Sequence, residues 1–238
     1  MVINFSLIFY VRYFETAFLS LIRNRDPVRK KFNLSDSIQI EISLEFLPRE
    51  TLLRRTQSRK RNGIFGKPLE SLSRKTGSKN GHFENIEIHY VPEIVYKCLS
   101  EVERRGLRIQ GIYRQNGPAQ KLSHIRSLFE TGKKSEANRQ LSTVDIHCVT
   151  GLLKLFFRQL PKPLFTDDLY REFIKSITCA NDVEKHRSMQ ACLKKLPKVN
   201  FLTLGKLVDH FQNVKMYESD NKMNSYNLAT VFGPTEGR

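Results

Sequence analysis

Residues 111–117 read Gly-Ile-Tyr-Arg-Gln-Asn-Gly and put one arginine, Arg114, on a short stretch between two helical patterns. A loop arginine can reach into the active site of another protein. There its charge neutralises phosphate oxygens during phosphoryl transfer, an effect worth about 10³–10⁵ in rate when the arginine is supplied in trans. Two more cations have useful spacing. Lys154 and Arg158 stand four residues apart, so both project from one helix face. Like charges so placed oppose the helix by about 0.2–0.5 kcal/mol. An anionic partner or a hydrogen-bonded carbonyl would offset this; simple solvation is the other reading. Asn227 falls mid-helix in the pattern, four after Met223. Asparagine is a poor helix residue there, which points to a bond with a loop backbone, to a partner, or to packing support.

Other chemistry is not apparent. The six histidines (His82, His89, His124, His147, His186, His210) are scattered, and no nucleophile–base–acid set accompanies them. The chain has no G-x-x-x-x-G-K-[ST] phosphate-cradling loop, so any nucleotide it acts on must be bound by another protein. Cys98, Cys148, Cys179 and Cys192 form no C-x-x-C and no ligand spacing with histidine pairs. Reduced thiols in a cytosolic protein fit better than zinc or a disulfide framework. No cofactor and no metal are expected.

The elements that must position Arg114 begin well downstream of the N-terminus. Residues 1–32 are apolar and then basic, and take no assignment. The first apolar run is about half the roughly 20 residues a membrane span needs. Arg12 and Glu15 then interrupt it, and no basic n-region precedes it, which argues against a signal peptide. Residues 37–47 alternate strictly, with Ile38, Ile40, Ile42, Leu44 and Phe46 on one face, as a half-buried strand does. This marks a strand unit at 33–48. Residues 49–85 are rich in Arg, Lys, Ser and Gly and read as a basic linker. Its run at 54–61 contains Thr56 and Ser58, and suits a weak anionic-membrane contact or a phosphorylation-controlled dock as well as plain solvation.

From residue 86 to 238 the pattern is helical, and no convincing strand appears after residue 90. Val91, Val95, Cys98 and Val102 recur at helical spacing before Gly106. Pro118 opens a helix that runs to about Thr131. Asp145 or Thr143 caps the next, whose apolar face is Ile146, Val149, Leu153, Phe156 and Leu160, and which ends at Pro161-Lys162-Pro163. Thr166 starts another, with Asp167 and Asp168 at the positive end of its dipole. Leu204, Leu207, Val208, Phe211 and Val214 form a further buried stripe. A last helix spans Asn221–Phe232 and stops at Gly233-Pro234. This section is an all-α domain.

Three blocks in order resemble the signatures of RhoGAP domains. They are Gly111-Ile-Tyr-Arg114, then Leu153-Lys154-Leu-Phe-Phe-Arg158-Gln-Leu-Pro161-Lys-Pro163-Leu, then Asn221-Lys-Met-Asn-Ser-Tyr-Asn227-Leu-Ala-Thr-Val-Phe232-Gly-Pro234. The likeness covers roughly residues 66–235. Within the family the chain is most similar to the breakpoint-cluster-region subgroup, whose members carry a C2-type β-sandwich before the helical domain. The strand at 37–47 is similar to the end of that sandwich. The resemblance implies a RhoGAP-like helical bundle that accelerates GTP hydrolysis by a GTP-bound Rho-family GTPase, Rac-type first. Arg114 would be the arginine finger. Lys154 and Arg158 would hold the finger loop and contact the GTPase, with Pro163 in the same block. Asn227 would contact the switch region or the nucleotide edge. The GTPase would supply the water-orienting glutamine, the Mg²⁺ and the phosphate loop. The chain would then be an activator rather than an enzyme, cytoplasmic or at the inner face of the plasma membrane.

The chain departs from the family pattern in three places. Asn116 stands where the family usually has serine, and asparagine also braces a turn. Lys162 stands where it usually has glutamate, which reverses a charge near a helix end and is expected to shift GTPase preference. The sequence reads as truncated at both ends relative to the family, with reduced stability or activity the expected result. The alternative to activation is a GAP-like scaffold that binds the GTPase without speeding it. A third reading, a basic surface binder acting through residues 49–79, ranks last, since no groove-reading element or aromatic platform appears and no nucleic acid is expected.

Overall fold

The computed structural model describes the backbone of residues 28–35 and 38–44, and then residues 63–73, 90–179 and 181–236, with side chains through Phe232. The apolar leader up to residue 27, the basic run 54–61 with Thr56 and Ser58, and residues 237–238 lie outside the described residues. Two strands, β1 (Val28–Ser35) and β2 (Ile38–Leu44), pair antiparallel with Val28 opposite Leu44 and Phe32 opposite Ile40. The alternating segment is thus a strand, as expected. Its partner was not: β1 begins inside the stretch left unassigned. The two form one hairpin, and nothing in it supports the C2-type sandwich.

The remaining elements are helices: α1 (Leu69–Leu72), α2 (Glu93–Arg105), α3 (Ala119–Glu130), α4 (Lys134–Thr143), α5 (Ile146–Arg158), α6 (Asp167–Ile177), α7 (Asp182–Lys195), α8 (Lys198–Met216), α9 (Glu218–Asn221) and α10 (Ser225–Glu236). Helix α5 is central, packed against α2, α3 and α10. Its apolar residues explain that position. The expected face of Ile146, Val149, Leu153 and Phe156 is buried, and so are Cys148, Leu152 and Phe157 on other sides. A helix apolar nearly all round belongs in an interior. Its start is fixed by Asp145, whose Oδ1 accepts the His147 N–H at 2.7 Å. On α8 the stripe of Leu204, Leu207, Val208, Phe211 and Val214 is buried as predicted.

Three expectations need correction. The linker at 49–85 contains residues built into the helical core. Phe65 and Leu69 are buried, the Phe65 ring meets that of Phe156 edge-on at 6.1 Å, and the Phe65 N–H donates to Glu130 Oε1 at 3.0 Å. Thr166 occupies the N-cap position of α6 as predicted, yet its side chain makes no cap bond and its backbone is left-handed at φ 55°. The last helix begins at Ser225 rather than Asn221, because the chain turns at Lys222 with φ 60°. It then runs through Gly233-Pro234 to Glu236. Proline's φ of about −65° is compatible with helical backbone, but it lacks the N–H for the bond to residue 230 and crowds that carbonyl, so it weakens this last turn. Among the described residues no helix is long and apolar enough to cross a membrane.

Candidate functional site

The stretch after α2 doubles back in tight turns. The N–H groups of Arg114 and Gln115 both donate to the carbonyl of Gly111, at 3.0 and 2.9 Å. Gly111 sits at φ 70° and Tyr113 at φ 69°. Glycine adopts that conformation freely, whereas for an L-residue it costs about 1–2 kcal/mol. Tyrosine therefore needs compensation, and its ring supplies it. Tyr113 is wholly buried, edge-on to Phe232 at 5.0 Å and to Phe211 at 6.1 Å. Its hydroxyl lies 2.6 Å from His210 Nε2. The alternation of left-handed residues sends Ile112 and Tyr113 into the core and leaves Arg114, Gln115 and Asn116 exposed. The Arg114 side chain makes no hydrogen bond or ion pair with any described residue.

Lys154 clamps this loop from below. Its Nζ donates to the Tyr113 carbonyl at 2.5 Å and to Asn116 Oδ1 at 3.4 Å. Only 7% of the residue is exposed. Burial, and then the neighbouring Arg158 charge, push its ammonium below the usual lysine range. The carbonyl bond is what offsets the like-charge pairing on α5. Arg158, one turn on, is exposed at the end of the same face and makes no hydrogen bond with the described loop residues. Pro163 is buried in the α5–α6 connection, where its carbonyl accepts the Thr166 N–H at 3.0 Å. It supports the end of α5 and has no bond to the Arg114 loop.

Asn227 lies in the first turn of α10, not mid-helix. Its N–H is capped by Asn224 Oδ1 at 2.8 Å, and its Nδ2 donates to the Lys222 carbonyl at 2.9 Å. It braces the 221–224 turn, which in turn holds the arginine loop: the Gly111 N–H donates to the Asn221 carbonyl at 2.8 Å. Asn221 itself is a site residue that the sequence reading missed. Wholly buried, it donates through Nδ2 to the carbonyls of Leu107 and Val214, both at 2.7 Å, and accepts the Met223 N–H at 2.7 Å. Its position in the third sequence block was the available signal. His210 was also missed, although it lies in phase with the apolar stripe of α8, three after Leu207.

The far end of the loop is fixed by close approach. A Cβ on Gly117 would lie 2.5 Å from Cys148 Sγ and 2.6 Å from Cys148 N, at the start of α5. Gly117→Ala is therefore expected to destabilise the fold by about 1–3 kcal/mol through overpacking. A lowered urea midpoint with unchanged slope would register it.

These features define a class: an all-α domain that displays an arginine on a loop clamped by a buried lysine and tied to a buried asparagine. The RhoGAP domain family matches residues 92–236. The chain belongs to that family. It is 37% identical over 214 residues to the breakpoint cluster region protein of Rattus norvegicus, covering 90% of this chain and 16% of that protein. It is 32% identical over 231 residues to Rho GTPase-activating protein 15 of Gallus gallus, covering 97% of this chain and 43% of that one. The chain thus spans less than half of either relative. The crystal structure of human Rho GTPase-activating protein 15 superposes with a TM-score of 0.64 at 30% identity, over 79% of this chain and 82% of that one.

Proposed function

We propose that this chain is a GTPase-activating module for Rho-family GTPases. Arg114 acts as the finger, entering the partner's nucleotide site and neutralising charge that develops between the β- and γ-phosphates. One observation carries the reading: Arg114 is exposed and unengaged while the backbone on either side of it is fixed by Lys154, Asn221 and Tyr113. A cation held ready needs no reorganisation when it meets the transition state, and exclusion of water at the interface strengthens it. Arginine suits the role because its guanidinium stays charged and forks to two oxygens. Arg158, exposed at the end of α5, contacts the GTPase surface; Asn227 braces the 221–224 turn and meets the switch region. The resemblance to the breakpoint-cluster-region subgroup favours a Rac-type client, in the cytoplasm or at the inner face of the plasma membrane. Residues 86–238 form the activating domain, joined on its N-terminal side by the packed Phe65 segment.

Single-turnover GTP hydrolysis, measured across a panel of purified Rho-family GTPases with the Rac type included, tests this. Acceleration of at least one member is expected, largest for the Rac type. Binding to the GTP forms with no change in turnover would instead establish the scaffold alternative.

A further inference from the structure

We infer that Glu103, His210 and Tyr113 form a buried hydrogen-bonded relay that positions the arginine loop for reaction, with Glu103 setting the ring tautomer on which the relay depends. The inference rests on the activating role proposed for Arg114 and adds positioning residues to it.

The geometry is a chain of two short bonds. Glu103 Oε1 lies 2.8 Å from His210 Nδ1, and His210 Nε2 lies 2.6 Å from the Tyr113 hydroxyl. A carboxylate only accepts, so Nδ1 must carry the proton. Nε2 is then left with a lone pair, and the Tyr113 O–H donates to it. Each link fixes the next. The end of the chain is the residue before Arg114, held in a left-handed conformation that tyrosine does not adopt unaided. Its carbonyl is the one that Lys154 clamps. The relay and the lysine therefore grip Tyr113 at opposite ends, hydroxyl and carbonyl, and Arg114 follows from the orientation that results.

The surroundings support a neutral imidazole. His210 is wholly buried, and burial lowers its pKa, against the opposing pull of Glu103. Lys206 on α8 is the other charge acting on it; Tyr113, and Cys98 which acts on Tyr113, are both pushed upward by burial and stay neutral. Glu103 is held below the usual carboxylate range, first by the His210 bond and also by Lys206 and the Asn213 amide. Its side chain is 30% exposed, so the relay runs from the edge of α2 to the loop that bears the finger. Ring packing alone would need none of this: phenylalanine at 113 would meet Phe211 and Phe232 equally well.

The test uses the full chain with a GTP-loaded Rac-type GTPase. Three variants are compared with wild type: Tyr113→Phe, Glu103→Leu and Glu103→Asp. Loss of one orienting bond is expected to lower the saturated hydrolysis rate roughly three- to tenfold. The concentration of activator for half-maximal rate, and binding to the GTPase loaded with a non-hydrolysable GTP analogue, should change less than twofold. Glu103→Asp should recover part of what Glu103→Leu loses. Glu103 lies at the partly exposed end of the relay, so its variants keep the test informative if Tyr113→Phe folds poorly. Long-range ¹H–¹⁵N spectra supply the second readout: His210 should show a protonated Nδ1 and a bare Nε2 in wild type, shifting toward the other tautomer in Glu103→Leu. A wild-type Nε2–H tautomer, or saturated rates in Tyr113→Phe and Glu103→Leu equal to wild type, overturns the relay alone. A wild-type chain that accelerates no GTPase overturns the activating role, and the relay's positioning role with it.

Discussion

Replacing Arg114 with alanine is expected to remove about 10³–10⁵ of the rate acceleration while leaving affinity for the GTP-bound GTPase nearly unchanged. The separation follows from where the residue sits. Its side chain is exposed and bonds to no described residue, so the free protein loses nothing when it is trimmed. The loop keeps its shape, because its bonds come from the Gly111 carbonyl, the Lys154 ammonium and the Asn221 carbonyl. Stability should stay within about 0.5 kcal/mol of wild type, as for surface substitutions generally. Arg114→Lys restores a charge but not the two-pronged guanidinium, and should recover only a small part of the rate. Single-turnover hydrolysis gives the rate, and titration against GTPase loaded with a non-hydrolysable analogue gives the affinity. An alanine variant that still accelerates hydrolysis fully would rule out the finger role.

Asn221→Ala should be the most damaging single change to the fold around the site. The substitution strands the Leu107 carbonyl and the Met223 N–H, and takes one of two donors from the Val214 carbonyl, which keeps the Tyr217 N–H at 3.2 Å. A stranded buried group costs about 1–3 kcal/mol, so two of them imply a loss on the order of 2–5 kcal/mol after partial relaxation. Against a typical total of about 5–15 kcal/mol, this leaves a marginal domain. Chemical denaturation followed by far-ultraviolet circular dichroism would measure it. A shift below about 1 kcal/mol would show that water replaces the amide and that the site does not depend on it.

The sequence made much of this site readable, because its chemistry lies in local signatures. The arginine between two glycines and the cation pair on one helix face each announce themselves without reference to distant residues. The apolar stripes of α2, α5 and α8 were legible for the same reason: a period of 3.6 is a local property. What escaped notice was set by tertiary contacts. The break before α10 falls at Lys222, and a lysine at φ 60° carries none of the signal that a glycine there would give, so Asn221 and Asn227 were placed on one helix. Phe65 lies in a basic, serine-rich stretch, and only the Phe156 ring and the Glu130 carboxylate reveal that it belongs to the core. The β1 strand carries consecutive basic residues, Arg29, Lys30 and Lys31, which hide its alternation. His210 was visible as a residue but not as a role, since its partners Glu103 and Tyr113 lie about a hundred positions away in the chain.

The burial of Tyr113 and Asn221 has a consequence for evolution of the surface around them. The anchors Tyr113 and Asn221 are interior residues, whereas Lys162 lies at the exposed surface. On the proposed activating role, partner choice would be retuned at exterior positions such as Lys162 while the interior residues that hold the Arg114 loop stay unchanged.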